Sequence, residues 1–258
     1  MTEVLKLNQL TKLFGGLTAV SQVDMTLNKG ELIGLIGPNG AGKTTIFNLL
    51  TGVYVPSKGD ILFMGKSISG KKPYQVTAEG VARTFQNIRL FADLSVLDNV
   101  KIAYHWHGKY NLASSLLRLP GYFAGEKKMT EDAVELLDIF NLADKKDEIA
   151  KNLPYGLQRR LEIARALAAG PKLLLLDEPA AGMNPLETRD LMDLIRWIRN
   201  EFNLTVLLIE HDMSLVMGVC ERIYVLDYGK IIAEGLPDEI KANPKVIEAY
   251  LGEEVSYA

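Results

Sequence analysis

A glycine-rich stretch near the start of the chain could hold the phosphates of a nucleotide. It reads Gly-Pro-Asn-Gly-Ala-Gly-Lys-Thr and matches the P-loop pattern at every fixed position. Glycines let backbone N–H groups turn towards the phosphates, and the N-terminus of a following helix adds positive potential. We expect Lys43 to reach the β- and γ-phosphates and Thr44 to place its hydroxyl on Mg²⁺. The predicted nucleotide-binding residues are Gly37, Pro38, Asn39, Gly40, Ala41, Gly42, Lys43, Thr44 and Thr45.

An acidic pair further along the chain could complete this chemistry. Asp177 and Glu178 directly follow the apolar run 173–176. A carboxylate at the end of a neighbouring strand suits Mg²⁺, and a second carboxylate beside it can orient or deprotonate a water molecule. Taken alone, such a run is more often a strand that meets a solvated turn. Together with the P-loop, the pattern predicts that Asp177 holds the metal and Glu178 activates water, which indicates hydrolysis.

The elements that must position these residues follow a strand, helix, strand order. The run 31–36 is nearly continuously apolar, which predicts a strand buried on both faces of a parallel sheet, followed by a helix over about 43–50. The runs 173–176 and 204–209 predict two more such strands, separated by an amphipathic helix over about 186–202. This spacing favours a βαβ arrangement.

The rest of the chain divides into a β-rich start, a helical middle and a mixed tail. Residues 4–27 predict antiparallel strands joined by turns. The middle, roughly 87–167, has helical character, with Thr130 as the predicted N-cap of one helix and a second helix over 159–169. Short β segments within 223–233 precede the last helices. No linker sets the middle apart, so we interpret it as an insertion within one domain.

Composition narrows the class of protein. The 258 residues include 29 Lys+Arg and 32 Asp+Glu, for a net charge of −3, and 48% are hydrophobic. The near-zero charge argues against a dedicated nucleic-acid binder, because phosphate neutralisation needs a basic surface. The longest stretch without a charged residue, 44–57, is shorter than the roughly 20 residues of a membrane-spanning helix. One cysteine, Cys220, and a start without a basic and apolar leader predict the cytosol.

Further motifs stand in a fixed order along nearly the whole chain. They are a Q-loop at 82–87, a signature segment at 153–158 with its helix at 159–167, a Walker B end at 177–179, a D-loop at 181–184 and an H-loop at 209–212. On these motifs the chain resembles the ATPase subunits of ABC transporters. The resemblance implies an α/β fold, a P-loop NTPase (RecA-like) core with an antiparallel β subdomain and an inserted α-helical subdomain. It implies one ABC-type ATPase domain over 1–258, with the insertion at approximately 87–167.

The resemblance also implies roles for residues that have plainer interpretations in isolation. Gln86 alone is most often a solvated polar residue, His211 a histidine satisfied by the backbone, and Phe14 a core residue. By resemblance Phe14 stacks on adenine, and ATP and Mg²⁺ are the cofactors. The implied catalytic residues are Lys43, Gln86, Glu178 and His211, and the implied metal ligands are Thr44, Gln86 and Asp177.

A head-to-tail dimer with ATP between two ATPase chains is implied as well. The contacts across that dimer would come from Pro154, Tyr155 and Gly156. The chain departs from the family pattern at three positions. Pro154 replaces the signature serine, Tyr155 replaces the first glycine, and Asn184 replaces the D-loop aspartate. Proline is favoured at the first position of a helix, so the helix can start, but it supplies neither a hydroxyl nor an N–H. We therefore hypothesise pairing with a different, related ATPase chain, with a homodimer as the alternative.

Four further stretches resemble the importer ATPases for branched-chain amino acids; they lie at 14–20, 83–91, 180–185 and 249–253. This implies separate integral membrane subunits as partners, with no direct contact to the transported substrate or to nucleic acid. The chain would then be cytoplasmic and peripheral on the inner face of the cell membrane through those subunits. The alternatives are importers of urea or amides, lipid-moving relatives, a non-transport ABC ATPase acting on DNA or ribosomes, and a P-loop kinase.

The membrane contact is predicted on the surface around residues 86–104. Its apolar residues would line a groove for a short helix of the partner, with ordinary core packing as the alternative; they are Leu90, Phe91, Leu94 and Val96. Residues 105–107, which read His-Trp-His, could suggest a metal site. Two histidines without further ligands nearby favour a solvated loop instead.

Overall fold

The computed structural model describes residues 2–104 and 120–254, in which strands and helices alternate along the chain. The strands are β1 (Glu3–Phe14), β2 (Leu17–Asn28), β3 (Leu32–Ile36), β4 (Lys58–Phe63), β5 (Lys66–Ser67), β6 (Val81–Arg83), β7 (Leu173–Asp177), β8 (Thr205–Ile209), β9 (Arg222–Asp227) and β10 (Lys230–Gly235). The helices are α1 (Lys43–Leu50), α2 (Pro73–Glu79), α3 (Val96–Tyr104), α4 (Pro120–Ile139), α5 (Tyr155–Ala168), α6 (Pro185–Glu201), α7 (Met213–Val219), α8 (Pro237–Lys241) and α9 (Pro244–Glu254).

A mixed sheet lies at the centre of the described fold. Its strand order is β10-β9-β3-β8-β7-β6, with β10 antiparallel to β9 and the other neighbours parallel. Every residue of β3, β7 and β8 is buried. Alternate residues face opposite sides, so Leu32 and Ile36 belong to one hydrophobic core and Ile33 and Leu35 to the other. A strand covered on both faces must be apolar throughout, which explains the continuous runs in the sequence.

The two faces of this sheet are covered by different layers. Residues of α3 to α7 pack with one face into what we call the helix-side core. The other face packs against α1 and an antiparallel sheet of order β2-β1-β4-β5, forming the β-side core. Tyr224 joins the two sheets, because its hydroxyl donates to the carbonyl of Thr26 at 3.1 Å. The antiparallel strands predicted over residues 4–27 are confirmed as β1 and β2.

Helices α3, α4 and α5 lie between β6 and β7 in the sequence. Backbone hydrogen bonds join the start of α3 to the segment before α5, with Val96 N donating to Glu148 O at 2.9 Å and Ala150 N to Leu94 O at 2.9 Å. The helix-side core contains residues of these helices and of the central sheet together. The inserted subdomain over approximately 87–167 stays a prediction.

Helix α4 differs from the sequence prediction. Thr130 is not an N-cap, because α4 begins at Pro120 and continues through it to Ile139. The Thr130 hydroxyl donates to the carbonyl of Glu126, four residues earlier, at 2.8 Å. A threonine can make this bond inside a helix as readily as it caps one, so the local pattern did not locate the start.

Helix α5 begins earlier than predicted, and helix α6 begins within one residue of the prediction. Helix α5 begins at Tyr155 and not at residue 159. Helix α6 begins at Pro185, where Asn184 is its N-cap and accepts from the N–H groups of Leu186 and Glu187 at 3.0 Å each. Glu187 returns the bond by accepting from Asn184 N, which completes a capping box.

None of the helices in the described ranges combines the length and the apolar character needed to cross a membrane. Cys220 is buried in the helix-side core, and this burial raises the pKa of its thiol to about 12. A thiol in such surroundings stays protonated and packs as a small apolar group.

Candidate nucleotide site

The glycine-rich loop connects β3 to α1 in a backbone conformation that needs glycine. Gly37, Gly40 and Gly42 have φ angles of 149°, 76° and 109°. A Cβ on Gly37 would lie 1.9 Å from Leu226 O, and one on Gly42 would lie 2.6 Å from Ala19 O. A Cβ on Gly40 would meet nothing within 4 Å. The loop is therefore packed tightly against the protein on one side and open at Gly40, as a loop that wraps a ligand requires.

Lys43 lies over this loop. Its Nζ donates to Gly37 O at 2.6 Å and to Pro38 O at 2.8 Å, and the residue is buried. Thr44 is exposed and Thr45 partly exposed in the first turn of α1. The positive N-terminus of an eight-residue helix and a fixed ammonium group favour an anion at this place. The geometry fits a phosphate group.

Three polar side chains meet beyond the ends of β6, β7 and β8. Gln86 Nε2 donates to Glu178 Oε2 at 2.8 Å, and His211 Nδ1 lies 3.5 Å from the same oxygen. Glu178 has a φ angle of 45°, a left-handed conformation that a glutamate rarely adopts. Its N–H donates to Ile209 O at 2.9 Å, which fixes the turn after β7. The structure thus brings together three of the predicted catalytic residues, with a strained backbone at the central one.

Asp177, the predicted metal ligand, has a partner that sequence reasoning missed. Its Oδ2 lies 2.7 Å from Arg83 Nη2, and both side chains are nearly fully buried. Arg83 ends β6 next to the end of β7. A charged residue in a strand whose other residues are buried needs a partner of opposite charge. This requirement is the feature of the sequence that could have indicated a partner for Arg83.

Glu210 is a second buried charged residue near the site that the sequence pattern did not single out. It is buried between β8 and His211, and burial raises the pKa of its carboxyl group. Glu210 Oε1 accepts from Ala180 N at 3.0 Å, and its Oε2 lies 3.9 Å from His211 Nδ1. Glu210 therefore fastens the segment after Glu178 to the end of β8. The position of this glutamate directly after a continuous apolar strand is the feature of the sequence that could have indicated its burial.

The segment around Pro154 differs from the expectation that proline would occupy the first helical position. Pro154 is the N-cap, with φ −53° and ψ 149°, and the helix begins at Tyr155. The Tyr155 hydroxyl accepts from Arg159 Nη2 at 3.2 Å. A Cβ on Gly182 would lie 3.4 Å from the Tyr155 ring, and one on Gly156 would lie 3.4 Å from Glu187 Oε1. The start of α5 thus packs against the 181–184 segment and the start of α6.

A buried ion pair fastens α5 to the Gln86 segment. Arg159 and Glu162 are paired at 2.8 Å, with 0% and 1% of their side-chain surfaces exposed. Arg159 donates to Phe85 O at 2.6 Å and to Gln86 O at 2.7 Å. Glu162 Oε1 accepts from Phe85 N at 3.4 Å and Arg89 N at 3.1 Å. The backbone of residues 85–89 is therefore held by both members of the pair.

Phe14 is exposed, with 39% of its surface accessible, so its interpretation as a core residue is wrong. Its ring meets the Tyr54 ring edge-on with centroids 5.1 Å apart, and Lys12 Nζ lies 4.9 Å from the Phe14 centroid. Phe14 ends β1, and β2, the next strand, contacts the P-loop through Ala19. Stacking of Phe14 on adenine stays a prediction.

The donor set matches magnesium. The Thr44 hydroxyl, the Gln86 amide and the Asp177 carboxylate all offer oxygen, which Mg²⁺ prefers, and phosphate oxygens usually complete its coordination. No group of three or more His, Cys, Asp or Glu side chains in residues 2–104 and 120–254 is arranged to hold a metal ion. A predicted ligand set with one carboxylate suits a metal that arrives with a nucleotide.

Comparisons with known proteins agree with this geometry. Residues 20–181 match the family model described as ABC transporter, and residues 230–256 match one described as branched-chain amino acid ATP-binding cassette transporter. The chain is 48% identical to the high-affinity branched-chain amino acid transport ATP-binding protein LivG of Escherichia coli K12, over 97% of this chain and 98% of that protein. It is 46% identical to the corresponding BraF protein of Pseudomonas aeruginosa over the same shares.

A solved structure supports the same assignment. The ADP conformation of an ATP-binding cassette of an ABC transporter aligns with a TM-score of 0.85 and 32% identity, covering 98% of this chain and 100% of that one. The chain belongs to the ABC transporter ATPase family. The predicted fold class, a P-loop NTPase with an antiparallel β subdomain, is confirmed. As an ABC ATPase the chain binds nucleotide, hydrolyses ATP and works with membrane subunits.

The predicted membrane contact of this ABC ATPase is only partly at the surface. Phe91 is 47% exposed and Leu94 38% exposed, but Val96 is fully buried in the helix-side core, so its assignment to a groove is wrong. Leu90 is partly buried against the same core. Val96 is buried because it begins α3 and points inward with Val100. Residues 105–107, interpreted as a solvated loop, lie outside the described residues.

We predict that Arg159→Met destabilises this ABC ATPase by about 3 kcal/mol, because Glu162 would stay buried without its cation. The free energy of unfolding in urea measures this, and hydrogen exchange should show faster exchange at the N–H groups of Phe85 and Arg89. The matched control is Arg160→Met, on the next and partly exposed residue. Equal unfolding free energies for the two variants would contradict the prediction.

Proposed function

We propose that this ABC ATPase powers an importer of branched-chain amino acids, with Glu178 as the base that activates water and Mg²⁺ as the metal cofactor. The observation that carries the chemistry is the meeting of Gln86, Glu178 and His211 at one oxygen atom, Glu178 Oε2. The substrate class is supported by the likeness to the LivG and BraF transport proteins over nearly the whole chain. The transported amino acid itself would bind the partner subunits and not this chain.

In the proposed reaction the P-loop and Lys43 hold the triphosphate through backbone N–H groups and the ammonium group. Thr44, Gln86 and Asp177 would hold Mg²⁺, which neutralises phosphate charge. Glu178 accepts a proton from water as the water oxygen bonds to the γ-phosphorus, and the bond from that phosphorus to the ADP oxygen breaks. Gln86 donates to this carboxylate, and His211 lies beside it. Phe14 would stack on adenine.

We expect Glu178→Gln to lower kcat by about 10²- to 10⁴-fold while ATP still binds, because the amide cannot take the proton from water. Phosphate release and binding of a fluorescent ATP analogue measure the two effects. Glu248→Gln, at an exposed position on α9, is the matched control and should keep its activity. Retained hydrolysis in folded Glu178→Gln would assign the base role to another residue.

The dimer is proposed to form with a different ABC ATPase chain. Pro154 has no N–H to offer a γ-phosphate, and the Tyr155 hydroxyl is engaged within its own chain by Arg159. The backbone N–H groups of Tyr155 and Gly156 then remain as donors at the start of α5, without the hydroxyl of the signature serine. This is a weaker cover for ATP bound to the opposite chain. A partner chain with a complete signature segment would supply the missing contacts to the site built on Lys43.

The oligomeric state with ATP tests this pairing. We expect the Glu178→Gln variant, which should keep ATP bound, to stay monomeric in sedimentation experiments with saturating ATP, and the wild-type chain to hydrolyse ATP without cooperativity. The control is the same chain without nucleotide. A stable homodimer with cooperative hydrolysis would refute the heterodimer and support the homodimer.

Phe91 and Leu94 are proposed to contact the integral membrane subunit from the cytoplasmic side. Asn99, which is fully buried, holds the turn that presents Phe91, since its Oδ1 accepts from Phe91 N at 2.9 Å and its Nδ2 donates to Phe91 O at 3.0 Å. A buried side chain that fixes an exposed aromatic residue favours a role in recognition. The single ATPase domain over 1–258 with a helical insertion would thus dock at the inner face of the membrane.

We predict that Phe91→Ala folds and binds ATP normally but no longer co-purifies with membranes that contain the partner subunits, because an exposed aromatic anchor is lost. The thermal unfolding midpoint and membrane pull-down measure the two properties. Phe123→Ala, at another exposed phenylalanine in α4, is the matched control. A large drop in the unfolding midpoint would instead support a packing role for Phe91.

A further inference from the structure

A buried arginine touches the carboxylate proposed to hold the metal, and the proposed reaction gives it no role. Arg83 lies at the end of β6, with 6% of its side chain exposed. Its Nη2 lies 2.7 Å from Asp177 Oδ2, and its Nη1 donates to Asn48 Oδ1 at 2.7 Å. Its Nε is buried and has no hydrogen-bond partner within the described residues. Burying this cation costs free energy, which its pairing with Asp177 offsets.

The guanidinium group is fixed from several sides. Its carbon lies 5.3 Å from the Phe47 ring centroid and 4.9 Å from the Phe85 ring centroid. Phe47 and Asn48 belong to α1, the helix that begins at the P-loop lysine. A planar group held by two aromatic rings and two acceptors has little freedom to rotate. Arg83 is therefore a fixed positive charge between α1 and the end of β7.

We propose that Arg83 is a positioning residue for the metal carboxylate: it is the resident counter-ion of Asp177 and weakens the hold of Asp177 on a divalent cation. This inference rests on the proposed role of Asp177 as a metal ligand. A buried carboxylate needs a cationic partner whenever no metal is bound, and Arg83 supplies it. A divalent cation that binds Asp177 either is repelled by this guanidinium group or displaces it, and both lower the metal affinity.

The consequence concerns turnover. An ATPase must release ADP after each cycle, and a metal held tightly by the protein would retain the nucleotide that it bridges. A fixed cation beside the metal carboxylate keeps the divalent ion exchangeable. A lysine would supply the charge at a single point, whereas the guanidinium group donates to Asn48 and Asp177 through two separate nitrogen atoms. The forked side chain thus suits both tasks, orientation of the carboxylate and attenuation of metal binding.

Mn²⁺ affinity tests the proposal, with Mn²⁺ as the probe, saturating ADP and detection by electron paramagnetic resonance. We expect Arg83→Met to lower the Kd for Mn²⁺ by about tenfold, because the competing charge is gone. Arg83→Lys should stay within about twofold of the wild type, since the charge is kept. Arg89→Met is the matched control: Arg89 also lies over the Phe85 ring, at 4.2 Å, but is not among the described partners of Asp177.

The outcomes separate this proposal from the proposed function. An unchanged or raised Mn²⁺ Kd in folded Arg83→Met, while Asp177→Asn raises the Kd, would overturn the role of Arg83 alone. An unchanged Kd in Asp177→Asn would overturn the metal role of Asp177 and the inference with it. If Arg83→Met does not fold, Arg83→Gln removes the charge, keeps an amide donor and should show the same direction.

Stability without nucleotide gives a second readout. Arg83→Met should lower the thermal unfolding midpoint less in an Asp177→Asn background than in the wild-type chain, because the carboxylate charge that needs Arg83 is already gone. Equal losses in the two backgrounds would mean that Arg83 acts by packing on Phe47 and Phe85 alone, and would overturn the proposal.

Discussion

The parallel alignment of β3, β8, β7 and β6 is the constraint on which the site depends. In the ladder, Leu35 is in register with Ile209 and Ile209 with Asp177. The strands therefore end at one edge of the sheet, where the chain enters the P-loop, the His211 segment, the Glu178 turn and the Gln86 segment. The carboxyl ends of parallel strands are where α/β folds place ligands, because all the connecting loops meet there. Side chains far apart in the sequence become neighbours because their loops follow the carboxyl ends of adjacent parallel strands.

Burial then decides which charged groups pair at that edge. Lys43 is bound to carbonyl groups of its own loop, Asp177 to Arg83, and Glu178 to Gln86. Glu210 is bound to a backbone N–H, and burial raises the pKa of its carboxyl group. A ligand that enters this site must therefore compete with these partners. Polar groups held in this manner are preorganised for charge that develops during a reaction.

Local signals located part of this arrangement from the sequence, and long-range contacts account for the rest. Helix α1 lies at the predicted residues because the P-loop pattern and the preceding apolar strand set its start. The Arg83 and Asp177 pair joins residues 94 positions apart, and Glu162 reaches Arg89 over 73 positions. The sequence around each of these residues does not indicate which distant residue it contacts. Thr130 shows the converse, since a good capping pattern lies in the interior of α4, where tertiary packing overrides a local preference.

Two buried arginines hold the Gln86 segment, and this links the departures of the signature segment to the predicted catalytic residues. Arg83 packs on the Phe85 ring, and Arg159 binds the carbonyls of Phe85 and Gln86. Tyr155, which replaces a glycine of the family pattern, accepts a hydrogen bond from Arg159. The residue that departs from the family pattern therefore adds a connection within the chain. Arg159 thus connects the start of α5 to the backbone of Gln86, whose side chain donates to Glu178.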